Sequence, residues 1–253
     1  MNAFPFADLA LSRRLERAEA LSNARFVESR ARVFPPSAAC WIEVAGAYAL
    51  FDGAASPATQ TFGLGMSQLP EAGDMDRIEA FFTQRGAPIY HEVSPLADDK
   101  LAPMLTARGY TPFEFTSVLY RPIDHAGLKP CATAEEDVTH GSGVAPGVKP
   151  STVAQRSGVA QGFSPAISVR LVAKADVEIF AQTSAAGWSH AGIDEFILQM
   201  AQVNAASEGV SLFLAEADGR PIATAAVSMV EGEQVGSDLE SFAEIDACEK
   251  FKI

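Results

Sequence analysis

Cysteine is scarce in this sequence of 253 residues, and the three that occur are scattered. Cys40, Cys131 and Cys248 are odd in number, far apart and part of no Cys-x-x-Cys pair. Disulfide-rich secreted domains and structural zinc sites both depend on closely spaced cysteines. The sequence therefore predicts neither a disulfide framework nor a zinc site.

Long apolar runs are also missing. A membrane-spanning helix needs about 20 consecutive apolar residues, and no run in the chain approaches that length. Met1 leads within a few residues into a polar helical pattern, which is unlike a secretory leader. The sequence therefore predicts a cytoplasmic protein that does not enter a membrane.

Basic residues are few. Lysine and arginine number 19 against 32 aspartates and glutamates, which gives a net charge of −13, and the bases are scattered along the chain. Proteins that bind nucleic acid or anionic membranes concentrate positive charge on one surface. The charge balance therefore predicts neither partner, whereas a cationic or amine substrate is compatible with it.

Residues 167–229 carry the clearest pattern of secondary structure. An alternating β-branched run at 167–172 predicts a strand, and apolar residues at helical spacing then predict two helices, the second one with Asp194 in its first turn. Two further apolar runs flank Asp218 and Gly219, the residue pair that a type I′ hairpin turn requires. The predicted order is strand, helix, helix, hairpin.

The first 120 residues also alternate between helical and strand patterns. Two short helices are predicted at the start, at residues 7–21 and from Asn23 onward, because Pro35 and Pro36 forbid continuation. The elements predicted after them are one or two strands in 40–51, a strand at 61–66, a helix through Met75 and Phe82 closed by Gly86, a strand at 88–93, a helix at 98–108 and a strand at 113–120.

Three stretches together resemble the GNAT (Gcn5-related N-acetyltransferase) family in its tandem form. VAGAYALFDGAASPATQTFGLG, residues 44–65, looks like the central strands, LAPMLTARGYTPFEFTSVLYRPI, residues 101–123, looks like the closing part, and residues 167–229 look like an opening half. The resemblance implies an α+β fold, a mixed and mainly antiparallel sheet flanked by helices, in two tandem units. The expected organisation is a degenerate unit at 1–123, a linker or mobile loop at 124–166 rich in Gly, Ser, Pro, Ala and Thr, and a partial unit at 167–253.

The pyrophosphate-binding loop of this family, Q/R-x-x-G-x-G/A, lacks a convincing counterpart. Such loops present backbone N–H groups at a helix N-terminus. A literal match at residues 155–160 lies in the predicted linker with no helix behind it. In the first unit the equivalent loop, residues 67–73, leads into a helix that opens with Glu71, Asp74 and Asp76, whose carboxylates repel a pyrophosphate.

In the second unit the fourth strand is expected near 234–241, and the resemblance implies cofactor contacts at Leu239 and Ser241. Residues 242–253 contain no glycine and stop short of the remaining helices and strand, which predicts half a GNAT fold. An incomplete sheet exposes an edge strand and an apolar face. The C-terminal half is therefore expected to pack on the first unit or to form a homo-oligomer with a second copy.

Two functions stay open. In the first, the resemblance implies direct acetyl transfer from acetyl-CoA to a small-molecule or protein amine, with Glu216 or Glu240 as the base and Trp188 and Phe196 lining an acyl pocket. In the second, the chain is a degenerate or truncated GNAT scaffold that acts as a non-catalytic binding or oligomerisation module. No metal site is predicted, because His91 and its strand neighbour Glu92 point to opposite faces.

Overall fold

The computed structural model describes residues 8–120, 167–230, 233–237 and 247–252. These segments belong to one compact unit that combines helices with three small sheets. The α+β class expected from the sequence agrees with this architecture. The division into two tandem units at 1–123 and 167–253 stays a prediction, and the expected linker at 124–166 lies outside the described residues.

A single long helix opens the described chain. Helix α1 runs over Leu9–Val33, and the Asp8 carboxylate accepts a hydrogen bond from the Leu11 N–H at 2.8 Å to cap its start. The prediction of two short helices was wrong. Asn23 does not begin a new helix but lies within α1, where its side-chain amide donates to the Glu19 carbonyl one turn back at 3.1 Å.

The first sheet lies against α1. It consists of strands β1 (Cys40–Val44), β2 (Ala47–Phe51) and β3 (Gln60–Phe62), all antiparallel. Ala45 and Gly46 join the first two strands with φ angles of 54° and 75°, as a type I′ turn requires. The strand predicted at 61–66 was too long, because Gly63 adopts a φ of 70° and turns the chain away.

Two helices cover the opposite face of this sheet. They are α2 (Ala72–Thr83) and α3 (Leu101–Ala107), and their apolar residues form the largest core cluster with the sheet. Fully buried members include Leu64, Met75, Ile78, Phe82, Leu101 and Leu105.

A second sheet joins two strands from the first half of the chain to a strand near its C-terminus. Its strand order is β4 (Glu92–Val93), β10 (Ala247–Lys252), β5 (Glu114–Leu119), and both pairings are antiparallel. A single parallel bridge between Thr61 and His91 connects β3 to this sheet. The strand predicted at 88–93 is thus reduced to two residues. The C-terminal residues, for which no strand was predicted, supply the central strand of this sheet.

The third sheet consists of four strands from the second half of the chain. Its antiparallel order is β6 (Ile167–Leu171), β7 (Val210–Ala217), β8 (Arg220–Val230), β9 (Glu233–Ser237). Asp218 and Gly219, with φ of 51° and 74°, form the predicted hairpin turn. Helices α4 (Val177–Gly187) and α5 (Asp194–Ala205) pack on one face, as the predicted order requires.

Helix α1 also contacts the third sheet and its helices. The Arg25 guanidinium donates to the Met229 carbonyl at 2.9 Å, and the Arg30 guanidinium donates to Gln199 at 2.9 Å. Packing of the C-terminal half on the first half was one of the two expected arrangements, and the structure has it. In the described part of the chain, no helix is both long and apolar enough to cross a membrane.

Candidate functional site

The third sheet carries a cleft of about 210 Å³ between α4 and the start of β8. Its lining comes from the last turn of α4, the 3-10 turn Ser189–Ala191 that follows it, and residues 222–224. Trp188 stands at the junction of helix and turn and forms part of the lining. We refer to this feature as the Trp188 cleft.

Two hydroxyl groups meet in the lining of the cleft. The Ser184 Oγ lies 2.8 Å from the Thr224 Oγ1, and both residues are buried. Only one of the two hydroxyls can donate to the other, so the second proton remains available for another acceptor. The pair joins the helix to the strand and offers a polar group inside an otherwise largely apolar cleft.

An aromatic pair forms another part of the lining. The Trp188 indole and the His190 imidazole stack with their ring centroids 6.4 Å apart and an angle of 15° between the planes. Gly192, with a φ of 69°, ends the 3-10 turn that holds His190 in this position. Ile222, half exposed on β8, adds an apolar side chain to the lining.

These groups define what the cleft can bind. An indole and an isoleucine side chain favour an apolar or planar ligand, and the hydroxyl pair can donate a hydrogen bond to a carbonyl oxygen. His190 adds an imidazole whose nitrogens can donate or accept a hydrogen bond. Carboxylates are absent from the described lining, so a permanently charged cation is not the ligand that this chemistry prefers.

Glu216, one of the two predicted bases, lies on β7 outside the lining of the cleft. Its carboxylate accepts a hydrogen bond from the Arg170 guanidinium at 3.1 Å, and Arg170 also contacts Asp176 at 2.7 Å. The hydrogen bonds to Glu216 and then to Asp176 raise the pKa of Arg170. Glu216 is therefore engaged in an ion-pair network that links β6, β7 and the start of α4.

The other predicted site residues cannot be placed. Glu240, Leu239 and Ser241 lie outside the described residues, as does the literal pyrophosphate-loop match at 155–160. Their assigned roles stay predictions.

The loop equivalent to a pyrophosphate site in the first half is closed by protein groups. At the start of α2, the Glu71 carboxylate accepts from the Asp74 N–H and the Asp74 carboxylate accepts from the Glu71 N–H, which forms a capping box. The Arg13 guanidinium donates to the Met66 carbonyl at 2.7 Å. This region does not fit a pyrophosphate, because the carboxylates of the capping box place negative charge at the start of the helix and occupy the Asp74 N–H, as the sequence predicts.

A buried histidine in the first half is structural. His91 is fully buried, its ring lies edge-on to Tyr110 with the centroids 4.8 Å apart, and neither nitrogen has a hydrogen-bond partner among the described residues. Burial lowers the pKa of His91 to about 4. The described residues contain no group of three potential metal ligands, so His91 has no partners for a metal ion there.

Sequence reasoning named Trp188 as a possible pocket residue, and the structure places it in the cleft, whereas Phe196 lies outside the lining. It missed Ser184, His190 and Thr224. Ser184 follows Phe180 and Ala181 on the buried face of α4, and Thr224 alternates with Ala226 on β8. In both elements, a hydroxyl residue occupies a position where the sequence pattern predicts a buried apolar residue, and this could have indicated the pair.

Comparisons with known proteins give one distant likeness. No family model matches the chain, and no curated protein matches it. A solved structure, a GCN5-related N-acetyltransferase from Kribbella flavida, is 14% identical over 90% of this chain and 71% of its own, with a TM-score of 0.47. At this level of similarity, the roles of the site residues follow only from their own contacts in this chain.

Proposed function

We propose that this protein is an acetyl-CoA-dependent N-acetyltransferase whose amine acceptor binds in the Trp188 cleft. The observation that carries the proposal is the cleft itself, in which a buried hydroxyl pair and a stacked imidazole lie within a largely apolar surface. The acceptor is a small-molecule amine or a protein amine with an apolar or planar portion. The resemblance of the sequence to tandem GNAT proteins supports the same reaction.

Each group of the cleft has a role in the proposal. Trp188 and Ile222 hold the apolar part of the acceptor, and the spare hydroxyl proton of the Ser184–Thr224 pair binds a carbonyl oxygen. His190 would accept the proton that the amine nitrogen loses on forming its bond to the acetyl carbon, and would return it to the sulfur that leaves when the thioester C–S bond breaks. Glu216 is better suited to holding Arg170 and the start of α4 than to acting as the base.

Acetyl-CoA supplies the acetyl group as a thioester when it is bound. The loop before α2 does not fit its pyrophosphate, so the proposal assigns cofactor binding to the second half of the chain. Leu239 and Ser241 are the proposed contacts there, and Glu240 is an alternative base, all three by resemblance to the family.

Calorimetric titration with acetyl-CoA, combined with an assay of thiol release in the presence of varied amines, tests the proposal. We expect binding at micromolar strength and acetylated product detectable by mass spectrometry. Trp188→Ala should raise the KM for the amine, and His190→Gln should lower kcat by about 10²-fold or more with cofactor affinity unchanged.

A matched control is Ser211→Ala, which removes an exposed hydroxyl from β7 away from the cleft. Its kinetic constants should equal those of the unmodified chain. Full activity in both the Trp188 and the His190 variants would contradict the placement of the acceptor in the cleft.

The second candidate function is a non-catalytic scaffold. The capping box at Glu71 and Asp74 favours it, because it closes the loop at residues 67–73 that the family resemblance equates with a pyrophosphate site. Absence of heat with acetyl-CoA up to millimolar concentration, together with no thiol release, would exclude the enzyme and leave the scaffold.

A further inference from the structure

Strand β6 forms one edge of the third sheet and exposes its apolar side chains. Ile167, Val169 and Leu171 alternate along the strand and are 65%, 66% and 50% exposed. Their cross-strand neighbours on this face continue the apolar surface with Phe213 and two alanines of β7. The opposite face carries Arg170, which is held by Glu216 and Asp176.

The free backbone groups of β6 belong to the same three residues. The Val172 N–H donates to the Leu212 carbonyl on β7 at 2.9 Å. Because successive residues of a strand direct their backbone groups to opposite sides, Ser168 and Arg170 also bond toward β7. Ile167, Val169 and Leu171 therefore direct their N–H and C=O groups outward, where no strand of the described chain pairs with them.

We propose that β6 pairs antiparallel with β6 of a second copy of this chain, about a two-fold axis at Val169. A strand that adds to this edge can bond to the outward backbone groups of these residues and pack on their exposed apolar side chains. An unprotected edge of this kind is otherwise an aggregation hazard. Pairing with a second copy would join two four-stranded sheets into one.

The order of residues in β6 fits this particular register. With Val169 opposite Val169 of the second copy, Ile167 lies opposite Leu171, and Ser168 lies opposite Arg170. All five residues are then paired, apolar with apolar and the cation with a neutral hydroxyl. Shifting the pairing by one residue in each strand toward the C-terminus would place Arg170 opposite Arg170, and like charges directly opposite are destabilising.

The register can be tested by cysteine cross-linking. Residues directly opposite each other in such a pair have Cα atoms about 5.5 Å apart, within the range of a disulfide. Val169→Cys should therefore form a covalent dimer under mild oxidation. Ile167→Cys should not cross-link to itself, because four residues of strand, about 13 Å, would separate the two positions.

The positive control for register is a mixture of Ile167→Cys and Leu171→Cys chains, which should cross-link to each other. The unmodified chain, which retains its native cysteines, gives the background. Equal cross-linking of Ile167→Cys with itself, or no excess over background for Val169→Cys, would overturn the proposal.

Sedimentation over about 1 µM to 0.5 mM provides the second arm, since dimer formation depends on concentration. We expect a monomer–dimer equilibrium, weakened about 100-fold or more by Val169→Glu, which would bury two carboxylates at the axis. Ile179→Glu on α4, a similar change at an exposed apolar residue, should leave the equilibrium unchanged.

A chain that stays monomeric throughout this range contradicts the proposal. If the Val169 amide is then slow to exchange with deuterium at every concentration, another part of the same chain covers β6. If it exchanges rapidly, the edge is open.

Discussion

At the scale of single residues, the buried polar groups carry the most information about this protein. His91 is shut into the first core without a hydrogen bond from the described residues, and burial lowers its pKa to about 4. The Ser184–Thr224 pair is equally buried, but its two hydroxyls satisfy each other at the cleft. The buried His91 imidazole lowers the stability of the folded protein at acid pH, whereas the hydroxyl pair gives the cleft its polar group.

Replacing His91 by leucine should make the protein less sensitive to acid. The unfolded imidazole has a pKa of 6.5 and the folded one about 4, so the unfolded chain binds the extra proton between these values. The wild-type free energy of unfolding should therefore fall as pH drops from 6.5 to 4, by about 3 kcal/mol from this group. His91→Leu should lack that component.

Urea unfolding at about pH 7.5 and about pH 5 measures the effect. His190→Leu, which removes an exposed imidazole, is the control for the loss of a histidine, and its pH dependence is compared with that of His91→Leu. An identical pH dependence in the wild type and in His91→Leu would show that folding does not change the pKa of the His91 imidazole.

At the scale of elements, the loop after β3 shows how closely the first half is packed. Gly65 has a φ of 73°, and a β-carbon added there would lie 2.7 Å from the Leu101 Cδ2 in the core. The Gly65 carbonyl also accepts from the Asp98 N–H at 3.1 Å. The loop thus holds α3 against the sheet.

Gly65→Ala should destabilise the protein by about 2–3 kcal/mol, since it adds a steric clash to an unfavourable φ. The matched control is Gly86→Ala, where φ is 66° but the added carbon meets nothing within 4 Å. That change should cost about 1 kcal/mol, from backbone strain alone. Denaturant unfolding measures the free energy of unfolding of both variants. Equal losses would show that the Leu101 side chain moves aside without an energetic penalty.

At the scale of the whole molecule, α1 is the element that both halves share. It packs on the first sheet through Val27 and on the second half through Arg25 and Arg30. Strand β10 adds a second connection, because it pairs between β4 and β5. Residues distant in sequence should therefore unfold together.

The chain's two tryptophans can test this, since Trp41 lies in the first sheet and Trp188 in the cleft. Trp41→Phe leaves Trp188 as the fluorescent probe, and Trp188→Phe leaves Trp41. In each variant, fluorescence and circular dichroism should give the same urea midpoint. A Trp188 transition at lower urea than the loss of helix would mean that the second half unfolds separately.

The sequence by itself determined the local features. Helices α2, α4 and α5, the turn at Asp218 and Gly219, and the carboxylate cap at Glu71 depend on residues a few positions apart, so their patterns could be read directly. Trp188 was also found, as an aromatic residue near the end of a predicted helix.

Only the tertiary structure decided which distant segments meet. The pairing of Ser184 with Thr224, the insertion of β10 between β4 and β5, and the engagement of Glu216 by Arg170 join residues that are 40 or more positions apart. Such contacts depend on closing long loops and on the competition among many possible partners, which no local pattern encodes. For that reason the sequence predicted elements such as α2, α4 and α5, whereas the continuous helix α1, strand β10 and the cleft followed from the tertiary structure.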